Sequence, residues 1–515
     1  MFRRSIRTWL PPGILILSLC LTYVATMAPG LSWANNSADS GDLISAVATG
    51  GIAHPSGYPT YLLLARLFQF LPWGSIAFRT NLFSVVSTVL AAVIMYFMVI
   101  KIPYGPIQNN KFAGLISAYA FGLSPLVWSQ AVITEVYGLH TLFVVLILYL
   151  MLLGIGSSLG LQLHLDRLRG LVFGLGMGNH LTTIFLLPVI FINGIVTKSD
   201  VENADLESRH KNIRLIVCLG QKWRLNLGAL TVRMKWLAIG LLVYLILPLR
   251  ASFHPPINWG NPVTFKNFYW LVSGQLYGER VFTVPTELIL PRIEAWANLL
   301  ISQFGLLGLA IGLYGLFYCR PIPIKFYLVT GWLFIAFSLF SIGYNSYDSE
   351  VYLTYAFLPL VIWIGLGAAD IIQSLSLRTP WLGTAVGILI IGYIIGHALF
   401  NFPKVDASRD QRAEIFGQKV LAVAPSNALI FTTKDQDSFT LWYFQFVLNE
   451  RPDIAILVEG LLPYQWYRDM LRYTYSSLVI PDQTNGLWLY TIIEANASRP
   501  ICKTSLEGSE VLLCR

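Results

Sequence analysis

Long apolar runs separated by short polar stretches dominate the chain, and the length and period of those runs set the elements expected. Residues 11–30 are apolar behind the basic start Phe2-Arg3-Arg4-Ser5-Ile6-Arg7. They read as a retained first helix, because no small-x-small cleavage site precedes the next loop and more apolar runs follow. Spans are expected at 79–100, 112–128, 134–156, 236–250, 297–318, 324–343, 352–372 and 381–400, each near the ~20 residues that cross a bilayer. The stretch 168–197 is broken by Gly174, Gly176, Gly178, Asn179 and His180. It reads as two short helices hinged at Gly178-Asn179-His180, which brings the count to about 11 crossings. Residues 58–72, interrupted by Arg66, are too short for a crossing and are expected to lie on or dip into the outer leaflet.

Beyond residue 400 the pattern changes. Ala428-Leu429-Ile430-Phe431-Thr432-Thr433 and Ile454-Ala455-Ile456-Leu457-Val458 are short apolar runs flanking a helical pattern around Phe439 to Asn449, the spacing of a β-α-β unit. The chain therefore divides into a membrane domain, 1–400, and a small α/β domain, 401–515. The latter has its own strand runs, joins through Asn401-Phe402-Pro403, and is expected to be dispensable for folding of the spans but not for full activity. Its Cys502 and Cys514 would share an oxidising compartment, where pairing is open to them.

Composition and charge fix the class and the orientation. Of the residues 55% are hydrophobic and 12% charged, whereas soluble domains carry about 25% charged residues. The chain is an α-helical, multi-pass membrane protein. Lys and Arg outnumber Asp and Glu by 35 to 27, and in such a chain the excess reports orientation and gives no support for nucleic-acid binding. The loop 198–235, with Lys198, Lys211, Arg214, Lys222, Arg224, Arg233 and Lys235, is the most basic and is placed in the cytoplasm with the N-terminus. The loops 29–78 and 251–297 and the C-terminal domain then lie outside, in the bacterial periplasm or the endoplasmic-reticulum lumen. Five cysteines form no CxxC or Cys/His pattern, so no zinc site is expected.

The first outer loop concentrates the candidate chemistry. Asp39 and Asp42 are three apart and share a helix face, where they serve either as caps or as a base whose pKa is raised beside the bilayer. His54, ahead of Pro55 and Tyr58, is either a turn residue or a hydrogen-bonding partner for phosphate or hydroxyl. Glu135 opens the 134–156 helix, as a carboxylate favoured at a helix N-terminus or as a catalytic acid. Arg250 closes an apolar span, as an interface anchor or as the neutraliser of a leaving phosphate. Asp348 and Glu350 lie on the same outer side. A metal pair, a phosphate-binding glycine loop and a Ser/His/Asp order are all absent from the pattern, so ATP-driven work is unsupported.

The run Asp39-Ser40-Gly41-Asp42, followed by Gly51-Ile52-Ala53-His54-Pro55-Ser56-Gly57-Tyr58-Pro59, resembles the signature of the transmembrane protein 260 family, membrane glycosyltransferases of the C-type (GT-C) fold. The resemblance continues in Arg79-Thr80-Asn81-Leu82, Trp128-Ser129-Gln130, Thr134-Glu135-Val136-Tyr137, Gly176-Met177-Gly178-Asn179-His180, Pro248-Leu249-Arg250 and Asn258-Trp259-Gly260-Asn261-Pro262. It reaches the tail in Phe431 to Tyr443. Asp42 stands where the family has a glutamate, and Ser56 where it has a second proline, which leaves open which carboxylate is the base.

The resemblance implies transfer of a hexose, mannose in related enzymes, from a polyprenyl-phosphate carrier to a hydroxyl of a protein or glycan. Asp39 or Asp42 would be the base in an inverting displacement, with His54, Tyr58, Glu135, His180, Arg250 and Asp348 around the donor. The lipid-linked sugar would be a substrate, and neither metal nor cofactor is called for. The competing reading is a transporter or flippase of lipid-linked precursors, with the hinge at Gly178-Asn179-His180 as a midplane site.

Overall fold

The computed structural model describes residues 2–102, 110–153, 158–192, 227–318, 324–483, 487–508 and 510–514. Most of the loop read as 198–235, with Lys198, Lys211, Arg214, Lys222 and Arg224, lies outside the described residues.

The chain is a polytopic helical protein with a small α/β domain at its C-terminus. Among the described residues seven helices are long and apolar enough to cross a membrane, and eight if the bent pair α5 (Lys111–Gly122) and α6 (Pro125–Ala131) counts as one span. That pair turns through 67°, where Pro125 opens a new helix after Ser124. The remaining expected crossings take other forms. The 134–156 run is α7 (Tyr137–Leu152), 16 residues long. The 168–197 run is the end of α8 (Leu159–Met177), a break at Gly178-Asn179-His180, a 3-10 turn (Leu181–Leu186) and the short α9 (Leu187–Ile190). The break falls at the expected hinge. The extra N-terminal length of α8 carries Asp166 and Arg167, charges that are rare inside a membrane span.

The helix Leu227–Ala251, α10, starts well before the expected 236, so Arg233 and Lys235 are helical rather than in a loop. It lies close along α8, since a Cβ on Gly240 would come within 2.6 Å of the Leu171 carbonyl oxygen. Small residues permit that approach, as in other membrane helix pairs. The later spans are α12 (Thr286–Tyr318), α13 (Ile324–Gly343), α14 (Leu353–Arg378) and α15 (Pro380–Val405). The window containing α14 is 89% buried against 22% for α15, so α14 is the central post and α15 faces outward. The short run 58–72 forms α3 (Pro59–Gln69), with Leu63, Leu67, Phe70 and Trp73 exposed on and just beyond it.

In the C-terminal domain, β1 (Leu429–Thr432), α17 (Asp435–Trp442) and β2 (Ala455–Val458) form the expected β-α-β unit, with β1 and β2 parallel. The sheet order is β2-β1-β3-β4. Here β3 (Ile501–Thr504) is parallel to β1, and β4 (Leu512–Cys514) is antiparallel to β3. Cys502 and Cys514, opposite one another on β3 and β4, are disulfide-bonded.

Asn401-Phe402-Pro403, where the two parts join, lies inside α15. The first loop and the C-terminal domain share one hydrophobic core, in which Leu43, Val47 and Tyr61 join Phe431, Phe439, Trp442 and Trp466. Gly41, on α2 (Ser40–Thr49), has no room for a Cβ, which would strike the Phe439 carbonyl group on α17. Trp33 Nε1 donates to Thr440 Oγ1 at 3.1 Å, and Ser32 Oγ and Trp33 N both donate to Asp410 Oδ2 at 2.8 Å. Hydrophobic period alone carries no information about such a contact, because each half already had an apolar face of its own.

Candidate active site

The site begins with the way α2 starts and stops. Asp39 stands at its N-cap, yet its side chain makes no capping bond, so the capping role is not the one it plays. Gly50, at φ 69, ends the helix in the left-handed conformation that glycine adopts without strain. The chain then doubles back. Ile52 N donates to Ile257 O at 2.9 Å and Trp259 N to Ile52 O at 3.4 Å, and this bridge pins the loop 51–58 to the segment 257–259.

That bridge sorts the two aspartates. Asp42 is fully buried and saturated: Oδ2 accepts from His54 N at 2.9 Å and pairs with His54 Nδ1 at 2.7 Å, while Oδ1 accepts from Trp259 Nε1 at 2.9 Å. Asp39 is different. Its side chain is 36% exposed, and its Oδ2 lies 3.7 Å from His54 Nε2. Among the described residues its carboxylate accepts no hydrogen bond. Its pKa is pushed up to about 7, chiefly because it sits deep in the protein; the His54 charge opposes this, and Asp435, Asp42 and Asp348 add to it. Burial works against the His54 cation, but the charges of Asp39 and Asp42 outweigh it and raise its pKa to about 9. The imidazole is therefore charged at neutral pH, clamped by Asp42 and facing Asp39.

The other expected site residues spread around this pair. Tyr58, at φ 43, places its hydroxyl 3.2 Å from both His54 Nε2 and the Pro55 carbonyl oxygen. Glu135 is buried between α6 and α7, and its Oε2 accepts from Val136 N at 3.3 Å. Burial first, and then the Asp39 charge, raise its pKa well above the ordinary carboxylate value. His180 stands one aromatic tier behind, stacked on His140 with ring centroids 5.0 Å apart and on Tyr58 at 6.3 Å, its Nδ1 2.8 Å from Thr182 Oγ1. Asp348 accepts from Ser346 Oγ at the turn before α14, and its charge reaches Asp39 and Glu135. Arg250 lies elsewhere. It donates to Gly51 O at 3.1 Å, beside Arg66, which holds the Val47 and Ala48 carbonyls. These are at the far end of α2 from Asp39, about 15 Å along a ten-residue helix.

Several residues around the cluster have no expected role from sequence: Trp259, Tyr277, Arg280 and Asp435. The Tyr277 ring lies 6.5 Å from that of His54, and Arg280 sits over Tyr277 at 5.4 Å. Asp435 opens α17 at the carboxyl end of β1, the place where open α/β sheets gather ligands, and that was the signal available for it. Trp259 had only its place in Asn258-Trp259-Gly260-Asn261-Pro262. Among the described residues no group of three or more His, Cys, Asp or Glu is arranged to hold a metal ion.

Comparison with solved structures defines the class: this is an integral membrane protein of the GT-C glycosyltransferase fold. ArnT from Cupriavidus metallidurans bound to undecaprenyl phosphate superposes with a TM-score of 0.59 at 12% identity, over 95% of this chain and 92% of that one. The Archaeoglobus fulgidus oligosaccharyltransferase tethered to an acceptor peptide gives 0.50 at 12% identity, over 96% and 69%. Within that class the resemblance to the TMEM260 family holds. Residues 39–203 match the protein O-mannosyl-transferase TMEM260 N-terminal domain, and residues 413–489 match the TMEM260-associated domain 2. Protein O-mannosyl-transferase tmem260 of Dictyostelium discoideum is 24% identical over 95% of this chain, and the Mus musculus protein of that name 23% over 83%. The chain spans 62% and 60% of the length of these two relatives.

Proposed function

We propose that the protein is a glycosyltransferase that moves a hexose, mannose by the naming of its relatives, from a polyprenyl-phosphate carrier to a hydroxyl of a protein or glycan. The observation that carries this reading is Asp39: an unbonded carboxylate, titrating near neutrality, set 3.7 Å from a charged histidine. A general base needs that pKa, close to the working pH, and an open face toward its substrate. The acceptor oxygen attacks the anomeric carbon while Asp39 takes its proton, and the bond from that carbon to the phosphate oxygen breaks. Polyprenyl phosphate departs as an anion and needs no proton back, so one base suffices and the configuration inverts. Asp42 keeps His54 charged and oriented, and Glu135 lies in the same pocket. The proposed step uses no metal, so chelator should leave turnover unchanged.

Support for the donor class comes from ArnT, which shares the fold and was solved with undecaprenyl phosphate. We place the site, with the C-terminal domain, on the extracytoplasmic side and the N-terminus in the cytoplasm, following the basic residues. A flippase reading would want its polar groups at mid-span, whereas these cluster where α2, the loop before α7 and the C-terminal domain meet. The test is direct: purified protein in detergent, with no gradient, incubated with radiolabelled polyprenyl-phosphate hexoses and candidate acceptors. Label moving to a protein or glycan hydroxyl is expected. A protein that binds these lipids without ever transferring label would overturn the reading.

A further inference from the structure

Asp435 belongs to the C-terminal domain, yet its surroundings are those of the membrane-domain site. It is an exposed carboxylate that, among the described residues, makes no hydrogen bond or ion pair. Phe439, four residues on, lies on the same face of α17. That residue's backbone abuts Gly41 at the start of α2, and its ring packs 6.2 Å from Trp259, the donor to Asp42. One helical turn toward the N-terminus, the same face therefore presents Asp435 to the Asp39 end of α2. The electrostatics agree: the charge of Asp435 reaches Asp39, while His54 and Arg280 both act on Asp435.

Arg280 is the second half of the observation. Its guanidinium stacks over Tyr277, whose ring also lies 6.5 Å from that of His54. Its backbone carbonyl accepts from Asn345 N at 2.8 Å, which fixes the loop, and its side chain bonds the Tyr344 phenol. Among the described residues no carboxylate pairs with it. The segment that follows it, with Phe282, Leu288, Ile289 and Leu290 exposed, offers apolar surface beside that charge.

We propose that Asp435 accepts hydrogen bonds from hydroxyls of the sugar on the lipid-linked donor, with Arg280 facing the donor phosphate, so that the C-terminal domain supplies the sugar-selective wall of the site. This deepens the transferase reading and rests on it. In an in-line displacement the sugar lies between the base and the leaving phosphate. Asp435 is in electrostatic reach of both Asp39 and Arg280. A carboxylate suits a polyol, because it offers only acceptors and every sugar hydroxyl has a donor. The apolar stretch after Arg280 suits the prenyl chain attached to the same phosphate.

The experiment measures binding rather than turnover, using full-length protein in detergent with two probes, polyprenyl phosphate and polyprenyl-phosphate mannose. Wild type should bind the mannosylated lipid more tightly. Asp435→Ala should weaken the mannosylated lipid about 10–100-fold, the range for hydrogen bonds to a charged group, and leave the bare lipid unchanged. Asp435→Asn should do so less. Arg280→Ala should weaken both lipids alike, with partial recovery in Arg280→Lys. The proposal is overturned if wild type binds both lipids equally, or if the Asp435 variants bind both as wild type does or lose both together. A sugar-dependent difference that Asp435 variants abolish, in a protein that never transfers label, would leave this site standing and remove the transferase reading.

Discussion

Asp166 and Asp39 each meet a cation in this molecule, and they differ in what is left over. Near the start of α8, Asp166 Oδ1 accepts from Arg169 Nη1 and from Arg233 Nε, each at 2.7 Å. The two guanidinium groups spend their other donors on backbone carbonyls: Arg169 on Leu150 and Leu153, Arg233 on Ile190 and Ile192. These carbonyls lie at the ends of α7 and α9, so one carboxylate and two arginines tie four helices together. At the other site the Asp39 carboxylate has a cation at 3.7 Å and, among the described residues, no hydrogen bond, and part of its surface is open. Satisfied polar clusters hold structure, and an unsatisfied one with an open face holds reactivity. Burial and charge alone do not separate the two cases; hydrogen-bond accounting does.

The largest effect expected from this contrast is at Asp39. Asp39→Asn keeps the shape of the side chain and removes the proton acceptor, so turnover should fall about 10²–10⁴-fold, with the thermal midpoint no lower than wild type. Normal turnover in this variant would move the base elsewhere in the cavity. The pH dependence sharpens the same point. Asp39 must lose its proton to act, so activity should rise with pH through about 7. His54 must keep its proton, so activity should fall again through about 9. A bell with both limbs is the expected kcat/KM profile. A profile flat between pH 6 and 8 would contradict it.

Asp42→Asn should have a smaller and different effect. Asp42 carries no free acceptor and acts through His54, so turnover should drop roughly tenfold, at the low end of an acid–base contribution. Removing its charge lowers the pKa of His54, so the alkaline limb should move to lower pH, and the acid limb should move a shorter way in the same direction, because the Asp42 charge also adds to the rise at Asp39. Loss as deep as in Asp39→Asn, with the acid limb abolished, would reverse the assignment of the two residues.

The sequence made the loop, its two aspartates and His54 legible, because carboxylates and a histidine between glycines and prolines beside an apolar span stand out by composition. It did not make the division of labour legible. Asp39 and Asp42 differ by one turn of the same helix, and what separates them is Trp259, 217 residues away, donating to one and not to the other. The β-α-β pattern of the tail was readable from its strand runs. Its union with the first loop was not, since Gly41 against Phe439 is a fit between surfaces rather than a pattern along the chain. Arg233 likewise counted as a loop charge by spacing, yet its partner Asp166, in another helix, draws it into the packed interior.

The smallest expected effect on turnover is at Asp166, and it tests the contrast from its structural side. Asp166→Asn leaves Arg169 and Arg233 facing each other without the carboxylate between them. Breaking a buried pair by removing one partner costs about 3–5 kcal/mol, so the thermal midpoint in detergent should fall. The turnover of the fraction that remains folded should match wild type, because the carbonyl bonds of both arginines still position α7 and α9 and no group at Asp39 changes. Replacing all three residues together with apolar side chains of similar volume should recover much of the lost stability, as it does where an ion cluster serves only to hold helices. No such repair exists for Asp39, whose role is the proton it takes. A fall in turnover at Asp166 without a fall in stability would show that this cluster also governs the chemistry, and the distinction between satisfied and unsatisfied carboxylates would no longer separate architecture from reactivity here.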